Sequence, residues 1–130
     1  MTGVSVDLSR SGSTGSVAVH WPVSQGTYLR NMTLDVASGT AGIFGESGSG
    51  GLIADVNIRG GDYGMQFGNQ QWTFRAVSIS GARVVGIQVI WNWVRTRALL
   101  TSLAGCVRCS HVGAVVGAAA GLQLHRPQHQ

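Results

Sequence analysis

The stretch Tyr28-Leu29-Arg30-Asn31-Met32-Thr33-Leu34 decides the fold of this chain, because two later segments repeat its pattern. The later copies are Leu52-Ile53-Ala54-Asp55-Val56-Asn57-Ile58 and Thr73-Phe74-Arg75-Ala76-Val77-Ser78-Ile79. Apolar residues occupy the second, fifth and seventh positions of all three copies, which begin 24 and 21 residues apart. A fixed period of this size is typical of a solenoid, in which one structural unit stacks on the next.

A second motif recurs in step with the first one. Its copies are Gly42-Ile43-Phe44, Gly64-Met65-Gln66-Phe67 and Gly86-Ile87-Gln88-Val89, with glycines 22 residues apart both times. Apolar and polar residues alternate within each unit, which indicates short β-strands separated by Gly-rich and polar turns. The sequence therefore predicts an all-β chain, a right-handed parallel β-helix fragment of about four coils with a divergent C-terminal tail.

An earlier coil is visible near the N-terminus. Val4-Ser5-Val6-Asp7-Leu8 matches Met32-Thr33-Leu34-Asp35-Val36 at an offset of 28, and the extra length falls in a polar turn at residues 9–16. A leucine-rich or helical repeat is the competing interpretation. It is disfavoured because leucines are few and glycines are frequent inside the units.

The composition changes after Trp93. Residues 1–93 hold all five acids and five arginines, whereas residues 94–130 hold four arginines and no acid, so the formal charge of +4 lies in the second segment. We therefore predict a partial β-helix domain at 1–93 and an off-pattern basic tail at 94–130. The tail is open to three interpretations, which are a degenerate coil, a short hydrophobic helix and a disordered or loosely packed segment, and the last of these is preferred.

The tail carries few signs of a partner or a metal. Its apolar runs are too short for a membrane span, and it has neither aromatic residues nor a compact arginine cluster for nucleic acid. Cys106 and Cys109 form a single C-x-x-C, readable as half a zinc site or a redox pair, but adventitious thiols are preferred. We predict no metal, no cofactor, no membrane, no nucleic acid and no signal peptide in this chain.

Several motifs in one order resemble a known family. They are His20-Trp21-Pro22-Val23-Ser24-Gln25-Gly26-Thr27-Tyr28-Leu29-Arg30-Asn31, Gly48-Ser49-Gly50-Gly51, Gly61-Asp62-Tyr63-Gly64, Phe67-Gly68-Asn69-Gln70-Gln71-Trp72-Thr73 and Trp91-Asn92-Trp93. Together they resemble the first of two β-helix domains in fungal exo-β-1,3-glucanases of glycoside hydrolase family 55, within the pectate-lyase-like superfamily. The likeness covers residues 3–93 and ends after Trp93.

The resemblance implies a fragment of a secreted glucan 1,3-β-glucosidase, which releases glucose from the non-reducing end of β-1,3-glucan with inversion. The family's catalytic acid is a Glu in the second β-helix domain, a partner missing here, so no catalytic residue is predicted and the chain alone is expected to be inactive. The resemblance places four residues against the glucan: Gln25, Asn69, Gln70 and Gln71. A glutamine amide both donates and accepts hydrogen bonds, as sugar hydroxyls require.

Two other functions stay open. One is a non-catalytic carbohydrate-binding β-helix. The other is a different pectate-lyase-like protein, such as a pectate lyase or a phage tailspike. A lyase needs clustered Asp for calcium, and the five acids are spread one per coil, which disfavours it.

Individual residues also have plainer interpretations. Gln25 and Gln70 can be solvent-facing turn residues, and Asn69 can belong to a stacked asparagine ladder. Glu46 would need a buried pocket to act as a general acid, and its Gly-rich surroundings predict exposure. Three tryptophans are candidates for sugar platforms, with at least one expected in the core: Trp72, Trp91 and Trp93. Asn31-Met32-Thr33 is a glycosylation sequon, meaningful in an exposed, secreted chain.

Overall fold

The computed structural model describes residues 1–22, 25–68, 70–89 and 97–104. The strands within these residues are β1 (Thr2–Asp7), β2 (Val17–Pro22), β3 (Thr27–Ala37), β4 (Ala41–Ser47), β5 (Ser49–Gly60), β6 (Tyr63–Phe67), β7 (Gln70–Ser80), β8 (Val85–Val89) and β9 (Arg97–Ala104). No helix in the described residues is long and apolar enough to cross a membrane.

The strands form two parallel sheets. The long sheet has the order β1-β3-β5-β7-β9, and the short sheet has the order β2-β4-β6-β8. Since odd strands lie in one sheet and even strands in the other, each odd–even pair makes one coil that stacks on the coil before it. The predicted parallel β-helix is confirmed.

The register reproduces the stacks that the repeat predicted. Leu29 pairs with Ile53, and Ile53 pairs with Phe74. The second and third apolar positions stack in the same way, and the earlier coil joins them because Val4 pairs with Met32. These stacks form the core, where Leu29 and Ile53 are 0% exposed. Stacked aliphatic columns bury apolar surface in every coil, which is the main source of stability in a solenoid.

The strands β1, β3, β5 and β7 bend at one shared register position, where the residue has left-handed backbone geometry. In register these residues are Gly3, Asn31, Asp55 and Ala76, with φ of 68°, 51°, 56° and 50°. The bend lets two consecutive side chains face solvent, as Arg30 and Asn31 do, before the chain turns inward again. The long sheet therefore has two faces that meet at this column, which we call the bend column.

Glycines in the short sheet permit close stacking. A Cβ atom on Gly42 would lie 2.6 Å from the Gly64 carbonyl oxygen and 2.6 Å from Cγ2 of Ile58. Gly64 has the same relation to Gly86 and Ile79 in the next coil. The 22-residue spacing of these glycines thus has a steric cause, because any side chain would collide with backbone that cannot move aside.

Arg83 fastens three coils together. Its Nε donates to Oδ1 of Asp62 at 2.9 Å. Its other nitrogens donate to backbone carbonyls of Ala37, Ser38 and Gly39 at 2.9, 3.1 and 3.2 Å. The guanidinium fork adds a side-chain donor to each of these turn carbonyls, and those of Ala37 and Gly39 also accept from the backbone N–H groups of Gly61 and Asp62.

Part of the predicted tail is a strand. β9 pairs in parallel with β7, so residues 97–104 extend the long sheet. The boundary after residue 93 stays a prediction, and Cys106 and Cys109 lie outside the described residues.

Candidate functional site

The register brings three of the four predicted site residues, Gln25, Gln70 and Gln71, to one corner of the β-helix. Thr27, Gly51 and Trp72 are partners in the long sheet, so the residues immediately before them also stack. These six residues are Gln25, Gly26, Ser49, Gly50, Gln70 and Gln71. We call them the glutamine corner. It lies where the chain enters the long sheet.

The four predicted substrate-binding residues have different outcomes. Gln25 and Gln71 are exposed, as a binding role requires. Gln70 pairs with Ser49 through the backbone of β7 and β5. Gln70 lies two coils after Gln25, and two strand spacings are about 9.5 Å. Asn69 lies outside the described residues, so neither its sugar contact nor the asparagine ladder is tested. The substrate-binding role stays a prediction for all four.

Gln71 has an unusual backbone conformation. Gly26 and Gly50 occupy the same level of the corner with φ of 72° and 70°, and Gln71 follows them with φ of 58°. Left-handed geometry costs an L-residue about 1–2 kcal/mol and is rare outside Gly, Asn and Asp. A glutamine here therefore carries local backbone strain, as Ala76 does in the bend column.

Replacing Gln71 with glycine is expected to stabilise the chain by about 0.5–1 kcal/mol, because glycine adopts this φ without a steric cost. Urea unfolding of the purified chain measures the change. Ala76→Gly is the matched control, since Ala76 has φ of 50° in the separate bend column and should stabilise by a similar amount. A destabilised Gln71→Gly variant would contradict the assignment of strain.

A groove begins at the glutamine corner and continues along the outer face of the long sheet. It encloses about 430 Å³ and is lined by Thr2, Gly26, Thr27, Tyr28, Arg30, Gly51 and Leu52. Tyr28 is 51% exposed. A cavity of this size with an aromatic wall and a few polar groups fits the usual character of small-ligand sites. Tyr28 and Arg30 were missed as candidates, although alternation about the buried Leu29 places both of them outward.

The tryptophans beside the corner are structural. Trp72 is 1% exposed and packs edge-on against Phe67 at 5.3 Å. It therefore belongs to the core, as expected of at least one candidate platform, whereas Trp91 and Trp93 lie outside the described residues. Trp21 is partly buried, and its Nε1 donates to Oγ1 of Thr27 at 3.3 Å. That bond ties β2 to the start of β3 across the corner.

Glu46 lies on the surface, close to a histidine. Its Oε2 is 2.7 Å from Nε2 of His20, and the two side chains are 53% and 49% exposed. The His20 ring stacks on Phe44 at 5.0 Å with an interplanar angle of 12°. Glu46 is thus exposed, as its Gly-rich surroundings predict, and it is not enclosed in the apolar pocket that a general acid needs.

The other described acids also lie at the surface. Asp62 pairs with Arg83 at 2.9 Å, and Asp55 lies 3.9 Å from Arg75. Asp7 is the register partner of Asp35. The backbone N–H and the hydroxyl of Ser9 hold the pKa of the Asp7 carboxyl below its ordinary value. In the part of the chain that the structure describes, no three His, Cys, Asp or Glu residues converge to hold a metal ion.

Known proteins similar to this chain fall into two groups by name. This chain is 52% identical over 85 residues to a glucan 1,3-beta-glucosidase of Cochliobolus carbonum. The aligned segment makes up 62% of this chain and 11% of that protein. The chain is 34% identical over 97 residues to a probable glucan endo-1,3-beta-glucosidase of Arthroderma benhamiae, 70% of this chain and 11% of the relative. It is 38% identical over 96 residues to the non-secreted LysM effector LysM15 of Penicillium expansum, 70% of this chain and 7% of the relative. The chain thus spans about a tenth of these relatives' length.

The family comparison covers most of the chain. The family described as rhamnogalacturonase A/epimerase, pectate lyase-like, matches residues 2–109, which reaches beyond Trp93, where the motif likeness ends. No solved structure matches the chain significantly. The resemblance to the β-helix of a β-1,3-glucanase is confirmed by the two relatives that carry glucosidase names. The chain belongs to the rhamnogalacturonase A/epimerase, pectate lyase-like family of β-helix proteins.

Proposed function

We propose that this chain forms one wall of the glucan-binding groove of an exo-β-1,3-glucanase and does not hydrolyse glucan alone. The observation that carries the proposal is the register, which gathers Gln25, Gln70 and Gln71 at one corner beside an open groove. The names of the two glucosidase relatives support glucan as the ligand. Cleavage from the non-reducing end with inversion is part of the proposal.

The groove and the glutamine corner beside it have suitable groups for a sugar. At the corner, outside the groove lining, the exposed amides of Gln25 and Gln71 each donate and accept, so they match hydroxyls of either orientation. Tyr28 is a half-exposed aromatic ring, which offers an apolar surface to the C–H groups of a pyranose. Arg30 lines the same groove and donates hydrogen bonds.

Catalysis is assigned to a carboxyl outside this chain. Inverting hydrolysis uses a protonated carboxyl and a base about 6.5–9.5 Å apart on opposite faces of the sugar. Glu46 is the single glutamate in the sequence, and it is held at the surface by His20. We therefore place the acid on a second β-helix domain that pairs with this one.

The proposed enzyme acts outside the cell. A glucan polymer is too large and polar to cross a membrane unaided, so the enzyme must meet it where the polymer is deposited. LysM15 is named a non-secreted effector, so secretion is a separate proposal that needs its own test.

The test measures binding and turnover on the same protein. Laminarihexaose is titrated into the purified chain by calorimetry, and glucose release from laminarin is followed in parallel. We expect weak binding without glucose release, and about a tenfold loss of affinity in Gln25→Ala/Gln71→Ala, since two neutral hydrogen bonds are worth about 1.4 kcal/mol together.

Asn57→Ala is the matched control, because Asn57 is an exposed amide on the other face of the long sheet. It should bind like the unaltered chain. Equal affinity in the double variant would remove the glutamine corner from the site. Glucose release that disappears in Glu46→Gln would place the catalytic acid within this chain and overturn the proposal.

A binding-only role is the second candidate. The segment shared with LysM15 favours it, because the same coils occur there in a protein that is not named a glucosidase. Residues 3–93 can replace the matching segment of the Cochliobolus carbonum glucosidase. Retained glucose release supports the glucanase wall, whereas retained laminarin binding without release supports the binding-only role.

A further inference from the structure

The sequon Asn31-Met32-Thr33 is the one Asn-x-Ser/Thr sequence in the whole chain. The structure places it in β3, at the bend column. Asn31 and Thr33 are exposed, and Met32 between them is 1% exposed. The amide that would accept a glycan and the hydroxyl that completes the sequon therefore both face solvent, while the middle residue anchors the segment in the core.

The surroundings of Asn31 leave its amide free on both sides. Gly3 is its neighbour in the preceding coil and has no side chain. Asp55 is its neighbour in the following coil, and its carboxylate lies 3.9 Å from Arg75, one coil further on. Among the described residues, no side-chain hydrogen bond of Asn31 is present. An exposed, unpartnered asparagine at a protruding bend has room for a bulky attached group.

The backbone at Asn31 supports the same conclusion. Its φ of 51° lies in the left-handed region, which asparagine tolerates better than most residues. That geometry sends Arg30 and Asn31 outward in succession. The side chain is therefore exposed to solvent, and a glycan there would not displace a core residue.

We infer that Asn31 is a site of N-linked glycosylation. The donor class is an oligosaccharide linked to a lipid diphosphate. The amide nitrogen of Asn31 bonds to C1 of the first sugar and loses one proton. The C1–O bond breaks, and the lipid diphosphate leaves with the bonding electron pair. The inference rests on the proposed secretion of the enzyme, because the transfer takes place in the secretory pathway.

The glycan should leave the glutamine corner open. Asn31 follows Gly26 by five strand residues, which is roughly 15 Å along β3. The other end of the groove lies closer, because Arg30 lines it and directly precedes Asn31. Laminarihexaose binding is therefore measured on the chain after the glycan has been removed.

The test translates the full chain, preceded by a cleavable signal peptide, with microsomes and also expresses it in a secreting yeast. Occupancy is read as a mass shift that a peptide N-glycosidase removes and as the conversion of Asn31 to Asp, because that enzyme hydrolyses the side-chain amide. Asn31→Gln and Thr33→Ala should abolish the shift, and Thr33→Ser should keep it. Arg59→Thr completes a second Asn-x-Thr sequence that begins at the exposed Asn57, and it should add a second glycan.

Microsomal translation separates this inference from the function, because it needs neither secretion nor binding. A chain modified at Asn57 in Arg59→Thr but not at Asn31 would overturn it. A glycosylated chain whose Tm equals that of its N-glycosidase-treated form would support it, since the bend would then accommodate the sugar. Glycosylation at Asn31 without laminarihexaose binding would support the modification site. It would count against the proposed glucan groove but not against the modification.

Discussion

Replacing Gly64 with alanine is expected to lower the free energy of unfolding by about 3 kcal/mol. The new Cβ would lie 2.5 Å from the Gly86 carbonyl oxygen and 2.5 Å from Cγ2 of Ile79. Both neighbours belong to the next coil, and the carbonyl is part of the backbone, so the stack must open to admit the methyl group. Overpacking usually costs about 1–3 kcal/mol, and a rigid backbone contact puts this site at the upper end.

Thermal unfolding followed by circular dichroism measures the effect, and Tm should fall by at least about 10 °C. Gly15→Ala is the matched control, because Gly15 is exposed, has no left-handed φ, and has open space where a Cβ would be added. Its Tm should stay within about 2 °C of the unaltered chain. Equal Tm values for the two variants would show that the coils are not packed as closely as described.

Replacing Trp72 with alanine is expected to cost about 4 kcal/mol, which is the largest effect we predict. Trp72 is 1% exposed, and its ring lies directly over Gly51, where a Cβ would come within 2.7 Å of the indole. Removing the indole leaves a cavity beneath the groove wall. Because Trp72 directly follows Gln71, laminarihexaose binding should weaken together with stability.

Trp72→Phe separates volume from polarity. The indole Nε1 is buried and has no hydrogen-bond partner among the described residues. Phenylalanine keeps most of the ring and removes that donor, so its cost should be below about 1.5 kcal/mol. Tyr28→Ala, at a side chain that is 51% exposed, serves as the surface control, with a change of about 0.5 kcal/mol. A Trp72→Ala variant as stable as Tyr28→Ala would contradict the buried position.

The strand stacks were predictable because the repeat states them directly. Residues that align in the sequence, such as Leu34 and Ile58, are register partners in the structure. The earlier coil was predictable for the same reason, since Val6 aligns with Leu34 despite the longer turn between them. The order of apolar and polar residues predicts which side chains are buried, and in a β-helix that order repeats once per coil.

The bend column was not predicted because no shared residue type marks it. Gly3, Asn31, Asp55 and Ala76 have little in common except their position. The Arg83 contacts were also missed, because they join residues 44–46 positions apart through turn carbonyls, which have no sequence signal.

The candidate site was predicted in part. The resemblance selected Gln25 and Gln71, and the register places both at one exposed corner. The groove beyond them depends on the side chains of Tyr28 and Arg30, which the repeat pattern marks only as outward. A groove is a property of neighbouring coils together, so it is not visible in any single motif.

The bend column also sets where this architecture tolerates changes in length. One residue added within β3 or β5 would move the left-handed position out of line with its neighbours and reverse which side chains face the core. A longer turn between strands changes neither the alignment of the left-handed residues nor the side chains that face the core. The polar turn at 9–16 holds the extra length of the first coil, whose offset is 28 residues against 24 for the next coil, and this is an insertion of the permitted kind. Variation in length during evolution should therefore accumulate between strands and spare the strands themselves.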